Sequence, residues 1–303
     1  MSVVTTSAPT SMTLAETLSL FVVSGGVVEI RIIDAHGTSY IHGGFFDNFD
    51  AAAKAIRPYI IDGKTSGIYL SLNEVNPDLL SRYNNRIHDR NPSLTTEKDV
   101  LSRRWLLIDL DAERISKVSA TNEEKTHCVA KVPDIVEWLR AMGCCEPIVC
   151  DSGNGVHLLL PIDLPNDDDS EKLIIRFLKA LQQKFGDKNV KVDQNVFDAP
   201  RIVRWWGTPA RKGDNTAVRP HRLSSVVYVP SYIHNSPREV CNIKSLKVVA
   251  SLAKDDTPKS KPGAKRAASS ARDSKLVVPR WLTDRGVQFR IEPGSDGWTK
   301  YIL

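Results

Sequence analysis

The chain has 303 residues, 41% of them apolar and 25% charged, a composition ordinary for a globular protein and long enough for one large or two small domains. A formal net charge of +5 permits a polyanionic partner without requiring one. Five cysteines without a Cys-x-x-Cys pair suggest neither a disulfide framework nor a zinc ribbon. Met1 to Met12 lacks the basic start and apolar run of a signal peptide, and no stretch approaches the roughly 20 apolar residues of a membrane span. The expectation is a cytoplasmic protein with reduced thiols and no membrane partner.

In chain order, residues 15 to 75 read as an α/β unit. VVEIRIID alternates as a strand does, Phe49 to Ile61 is helix-like and GIYLSL is strand-like. This unit is expected to pack beside the main sheet as the wall of a cleft. Trp105 to Asp111 reads as a strand, and Pro133 to Met142 as a helix with Pro near its first turn and Gly143 as its stop. Ile148 to Cys150 and Val156 to Leu160 form a hairpin around the turn Ser152 to Gly155. Glu171 to Phe185 is a helix whose apolar residues recur every three or four positions, and Ile202 to Trp206 is the final strand.

That order is βαββαβ, a split βαβ arrangement whose antiparallel sheet is covered by helices on one face and open on the other. The fold class expected is α+β, with an RRM-like catalytic sheet and an additional N-terminal α/β unit. The catalytic domain is placed at 1 to 235, the N-terminal unit at about 15 to 100 and the catalytic sheet at about 101 to 235. Residues 236 to 275 are expected to hold a tail helix and a linker, the stretch from Lys254 to Ser274 being rich in Lys, Ser, Ala and Pro. Residues 276 to 303 regain apolar patterning and read either as a segment that docks on the main body or as the start of a truncated C-terminal module.

Residues two apart on a strand share a face, so Asp109 and Asp111 project together while Leu106, Ile108 and Leu110 point to the opposite side. Two adjacent carboxylates repel each other unless a cation sits between them, and Mg²⁺ or Mn²⁺ suits hard oxygen ligands. Alone, an Asp-x-Asp is more often a solvated pair at a strand end. Downstream, Asp151-Ser-Gly-Asn-Gly-Val-His157 places two glycines in a turn whose free amides could cradle an anion, with a histidine opening the next strand. A third cluster begins at Asp193. Between 200 and 222 it carries six basic residues (Arg201, Arg204, Arg211, Lys212, Arg219, Arg222) against the single acid Asp214, interleaved with Trp205, Trp206 and His221. Basic groups suit phosphates and flat side chains can stack on bases. The rival reading is a solvated basic face with tryptophans in the core.

Together, RRWLLIDLDAER, SGNGVHLLLPIDLP, VDQNVFDAPRIVRWWGTPARKGD and RPHR resemble the archaeo-eukaryotic primase superfamily, in the primase-polymerase branch of plasmids, phages and other mobile elements. The resemblance covers roughly residues 65 to 230. It implies a DNA primase/DNA polymerase that adds nucleoside triphosphates (dNTP, NTP or both) to a primer on a DNA template, using two divalent ions held by Asp109, Asp111 and Asp193. Asp198 competes for the third place; Asp193 is preferred because the apolar residue before it fits the family pattern. By the same resemblance Ser152 and His157 hold the incoming phosphates, with Gly153, Asn154, Gly155, Arg201, Arg204 and Lys212 completing the nucleotide site. A helicase or further module after the linker is a candidate partner. The alternatives are a nuclease or cyclase on a similar sheet, and a non-catalytic binder of single strands, which would present aromatics where this chain has Asp109, Asp111 and His157.

Overall fold

A computed structural model describes residues 12–235, 239–255, 290–293 and 299–302, the last two stretches by backbone alone. Most of the expected linker lies outside the described residues. The protein is a mixed α+β structure of antiparallel sheets, and among the described residues no helix is long and apolar enough to cross a membrane.

The chain opens with α1 (Leu14–Phe21), started by a reciprocal cap between Thr13 and Glu16. Strands β1 (Val28–Ile33) and β2 (His42–Phe46), helix α2 (Phe49–Ile61) and strand β3 (Gly67–Ser71) follow, close to the expected elements. Strand β4 (Glu74–Val75) leads through a long loop to β5 (Val100–Ala112). Then come α3 (Asn122–Ala141), β6 (Ile148–Asp151), β7 (Gly155–Pro165), α4 (Asp168–Phe185) and β8 (Val190–Val192). Strands β9 (Ile202–Arg204), β10 (Pro209–Ala210), β11 (Arg222–Leu223) and β12 (Ser225–Tyr228) precede α5 (Ile243–Ser251), which packs on α4. A hairpin of β13 (Arg290–Pro293) and β14 (Thr299–Ile302) lies in the expected C-terminal segment.

Two sheets carry the structure. One has the order β2-β1-β3-β9; the other runs β12-β6-β7-β5-β4, with β8 also paired to β5. Strand β7 pairs with β5 from Ser102 to Asp111, while β4 meets its beginning and β8 its end. The apolar alternation sets this register. Leu106, Ile108 and Leu110 lie opposite Leu160, Leu158 and Val156 and are buried, while α3 lies against β5 and β7 and α4 against β8.

Three expectations need correction. Helix α3 begins at Asn122, so Pro133 sits inside it rather than in its first turn. The reciprocal cap between Thr121 and Glu124 starts the helix well upstream, and the proline removes one backbone bond without ending it. The strand at 202 to 204 does not belong to the main sheet: it pairs with β3, and Val190–Val192 takes the edge position beside β5. A turn after Asp193 carries the chain across to the other sheet, where Trp205 N–H donates to the Ile68 carbonyl at 2.9 Å. The second face of the main sheet is also not open. Trp105, Leu107 and Leu159 on it are buried, and both sheets share one hydrophobic core.

Helix α1 seals that face. The Phe21 ring lies 5.3 Å from Trp105 and 4.5 Å from Trp206, and Trp105 Nε1 donates to the Phe21 carbonyl at 2.9 Å. Beyond Leu107 on this face, Asp109 and Asp111 are left partly exposed. Truncating this wedge removes packing from both sheets at once. Phe21→Ala should cost about 3–5 kcal/mol, read as a fall in the urea midpoint; an unchanged midpoint would mean that the sheets do not depend on α1.

Candidate active site

The strand register assembles the acidic end of β5. Asp109 lies directly opposite His157 on β7. On the other edge Leu110 pairs with Val192 and Asp111 with Lys191. The ladder runs one step further, Asp193 N–H donating to the Asp109 carbonyl at 2.9 Å. His157, Asp109 and Asp193 therefore form a row across three strands, with Asp111 two residues along β5 on the same face. Asp198 lies off this row, paired with Arg201, so Asp193 is the third acid that faces the pair.

Each acid has a local partner. Asp111 Oδ1 accepts from Arg114 Nη1 at 2.7 Å, and the Arg114 side chain, 5% exposed, is tied to the carbonyls of Ala112 and Val118. Asp193 Oδ1 accepts from the backbone N–H and Nδ2 of Asn195, at 2.9 and 3.1 Å. Among the described residues Asp109 has only His157 Nε2, at 3.6 Å. Burial, then the charges of Asp111 and Asp193, push the Asp109 carboxyl up to about 7, against the pull of Lys212 and Arg114. Burial, then the Arg204 charge, pushes His157 down to about 3, leaving a neutral imidazole. Its Nδ1 is buried without a hydrogen-bond partner, as is Nε1 of Trp206, whose ring lies 5.7 Å away.

The turn before His157 is knitted into the protein. Gly153 N–H donates to Asp151 Oδ1 at 2.7 Å, Gly155 N–H to Ser152 Oγ at 3.0 Å, and Ser152 N–H to the Gly155 carbonyl. Asn154 is buried and accepts from Ala120 N–H at 2.8 Å. Lys125 closes on Asp151 at 2.5 Å. The expected anion cradle is thus mostly engaged with its own turn. Gly155 is required for another reason: a Cβ there would lie 2.1 Å from the Leu110 carbonyl oxygen, so only glycine lets β7 approach β5 beside Asp111.

Most of the basic stretch is structural. Arg201 bonds the Asn195 carbonyl and Asp198, Arg211 the carbonyls of Ile60 and Thr65, Arg219 the Glu124 carboxylate and Arg222 the carbonyls of Ala120 and Gly153. His221 contacts the Gly213 carbonyl. Trp205 and Trp206 are both buried, which removes them as stacking platforms. Lys212 remains near the acids, exposed and acting on Asp109, and Arg204 is buried with its charge acting on His157. Sequence reasoning missed Arg114, although its spacing of three residues from Asp111 was a signal, and missed Trp206 as the neighbour of His157.

Among the described residues no three His, Cys, Asp or Glu side chains converge closely enough to form a preassembled metal cage. Two of the three acids engage Arg114 and Asn195 through Oδ1, which leaves the second oxygen of each carboxylate to accept a further partner. The donor chemistry still suits a hard divalent ion: three carboxylates on adjacent backbone, one of them resisting ionisation because it is buried and the others are near.

The two pKa displacements act in opposite directions on stability. The Asp109 carboxyl ionises near pH 4 when unfolded and at about 7 in the fold, so its contribution is lost as pH rises through that window. His157, displaced to about 3, contributes stability that is lost as pH falls from about 6.5 through that value. Without divalent ions, Asp109→Asn should gain on the order of 1–3 kcal/mol over the wild type at pH 8 and no such advantage at pH 4. Urea melts in chelator at the two pH values measure this; equal differences at both would show that Asp109 ionises normally in the fold.

In comparisons with known proteins, no family model, no curated protein and no solved structure matches this chain.

Proposed function

We propose that the chain is a template-directed nucleotidyltransferase, a DNA primase/DNA polymerase acting on nucleoside triphosphates with Mg²⁺ or Mn²⁺. The observation that carries this reading is the row of His157, Asp109 and Asp193 across three strands, with Asp111 beside it. We read the sheet as RRM-like: the chain order β5-α3-β6-β7-α4-β8 and the strand order β6-β7-β5-β8 follow the split βαβ scheme.

Asp109, Asp111 and Asp193 would hold the divalent ions, which supply activation of the attacking hydroxyl and neutralisation of charge on the leaving pyrophosphate. The chain's own groups do the positioning. The 3′-hydroxyl of a primer attacks the α-phosphorus of the nucleotide, and the bond to pyrophosphate breaks. His157, neutral and walled in by Trp206, offers a directional hydrogen bond without adding charge. Arg204 and Lys212 offset the triphosphate, and a partly dry site strengthens both effects. Burial of Trp205 and Trp206 favours this reading over a single-strand binder, since the flat side chains of the basic stretch do not face solvent.

Incubation with labelled nucleotides, with and without template, tests the reading directly. Asp109→Ala and Asp111→Ala should each abolish template-directed synthesis while leaving DNA binding largely intact; unchanged incorporation by either sinks the assignment. Synthesis by the wild type that ignores template, or cleavage in place of synthesis, would move the site to the cyclase or nuclease class. His157→Ala should chiefly raise the KM for nucleotide, by about 10-fold or more if a hydrogen bond to a charged group is lost, and an unchanged KM removes His157 from the phosphate site.

A further inference from the structure

Pairing of β3 with β9 sets Tyr69 directly opposite Arg204, with Ile68, Leu70 and Val203 turned into the core. Arg204 is 6% exposed. Its Nη2 donates to Tyr69 Oη at 2.8 Å, its Nη1 to the Pro209 carbonyl at 3.2 Å, and its Cζ lies 4.6 Å from the centroid of the Tyr69 ring. Gly67, the next residue on that face of β3, keeps the space clear: a Cβ there would lie 2.6 Å from Arg204 Nη1 and 2.8 Å from Tyr69 Cε2.

No carboxylate among the described residues lies within salt-bridge reach of Arg204. By contrast, buried Arg103 has Glu97 and Glu171, and Arg114 has Asp111. A buried guanidinium with only neutral partners is a costly arrangement, and its field reaches His157. An anion arriving beside His157 would relieve that cost. Arg204, moreover, is held in one orientation by a ring and a hydroxyl, as suits a fixed phosphate donor.

We propose that Tyr69 is a positioning residue for oligophosphate recognition, fixing the Arg204 guanidinium in the space left by the missing side chain of Gly67. The inference rests on the nucleotidyltransferase reading for the identity of its natural ligand, a nucleoside triphosphate. The hydrogen bond, the stacked ring and the missing Cβ act together, and the phosphate chain is the part of the nucleotide that they serve.

The test uses the full chain and two probes, a nucleotide in steady-state synthesis and inorganic tripolyphosphate in calorimetry. Tyr69→Phe keeps the ring and deletes the hydroxyl. It should raise the KM for nucleotide and weaken tripolyphosphate binding, each roughly 3- to 10-fold as for one lost hydrogen bond, with kcat and the melting temperature little changed. Gly67→Ala should weaken tripolyphosphate in the same sense. Both variants binding tripolyphosphate like the wild type, or a fall in kcat at constant KM for Tyr69→Phe, overturns the inference; so does a wild type that does not bind tripolyphosphate. A wild type that binds it in a Tyr69-dependent way but synthesises nothing rejects the polymerase reading and leaves the phosphate site standing.

Discussion

Strand β5 is the constraint on which the rest depends. It is paired along nearly its whole length with β7 on one edge, and with β4 and β8 at the two ends of the other. Its residues Leu106, Ile108 and Leu110 are buried against a helix layer, and a slip of one residue would turn the aspartates against that layer in their place. Hydrophobic burial therefore sets the register, and the register places His157 and Asp193 on either side of Asp109. The chemistry of the site follows from packing on the reverse of the sheet.

An acidic row of this kind is unfavourable in the fold, and the structure manages it group by group. Arg114 neutralises Asp111 locally, Asn195 solvates Asp193 with two N–H groups, and Asp109 has a raised pKa instead. His157 takes the opposite route and stays neutral. The three acids are thus accommodated by three different means, a salt bridge, hydrogen bonds and a raised pKa.

The second sheet contributes more than a wall. It borrows β9 from the far half of the chain, which brings Arg204 against Tyr69, and Trp206 against His157 and Phe21. The basic stretch that follows looks, as a string of letters, like a surface for polyphosphate. In the fold most of its guanidinium groups bind backbone carbonyls and carboxylates that tie the loops together. Charge counted in sequence overstates the charge available to a ligand, because arginine's five donors suit loop cross-linking as well as phosphate.

The local pattern of the sequence by itself determined the strands and helices around the motifs: the alternation of WLLIDLD, the glycine turn before His157 and the helical spacing after Glu171 all became elements near their expected places. It also determined that Asp109 and Asp111 share a face, since that follows from the two-residue period of any strand. Tertiary structure alone decided which strands meet. Val190–Val192 rather than Ile202–Arg204 flanks β5, Asp193 rather than Asp198 faces Asp109, and Trp206 is a core neighbour of His157 rather than a platform for bases. The physical reason is range. Period and capping act over a few residues, whereas strand partners and the partners of long cationic side chains are chosen by burial between segments tens of residues apart.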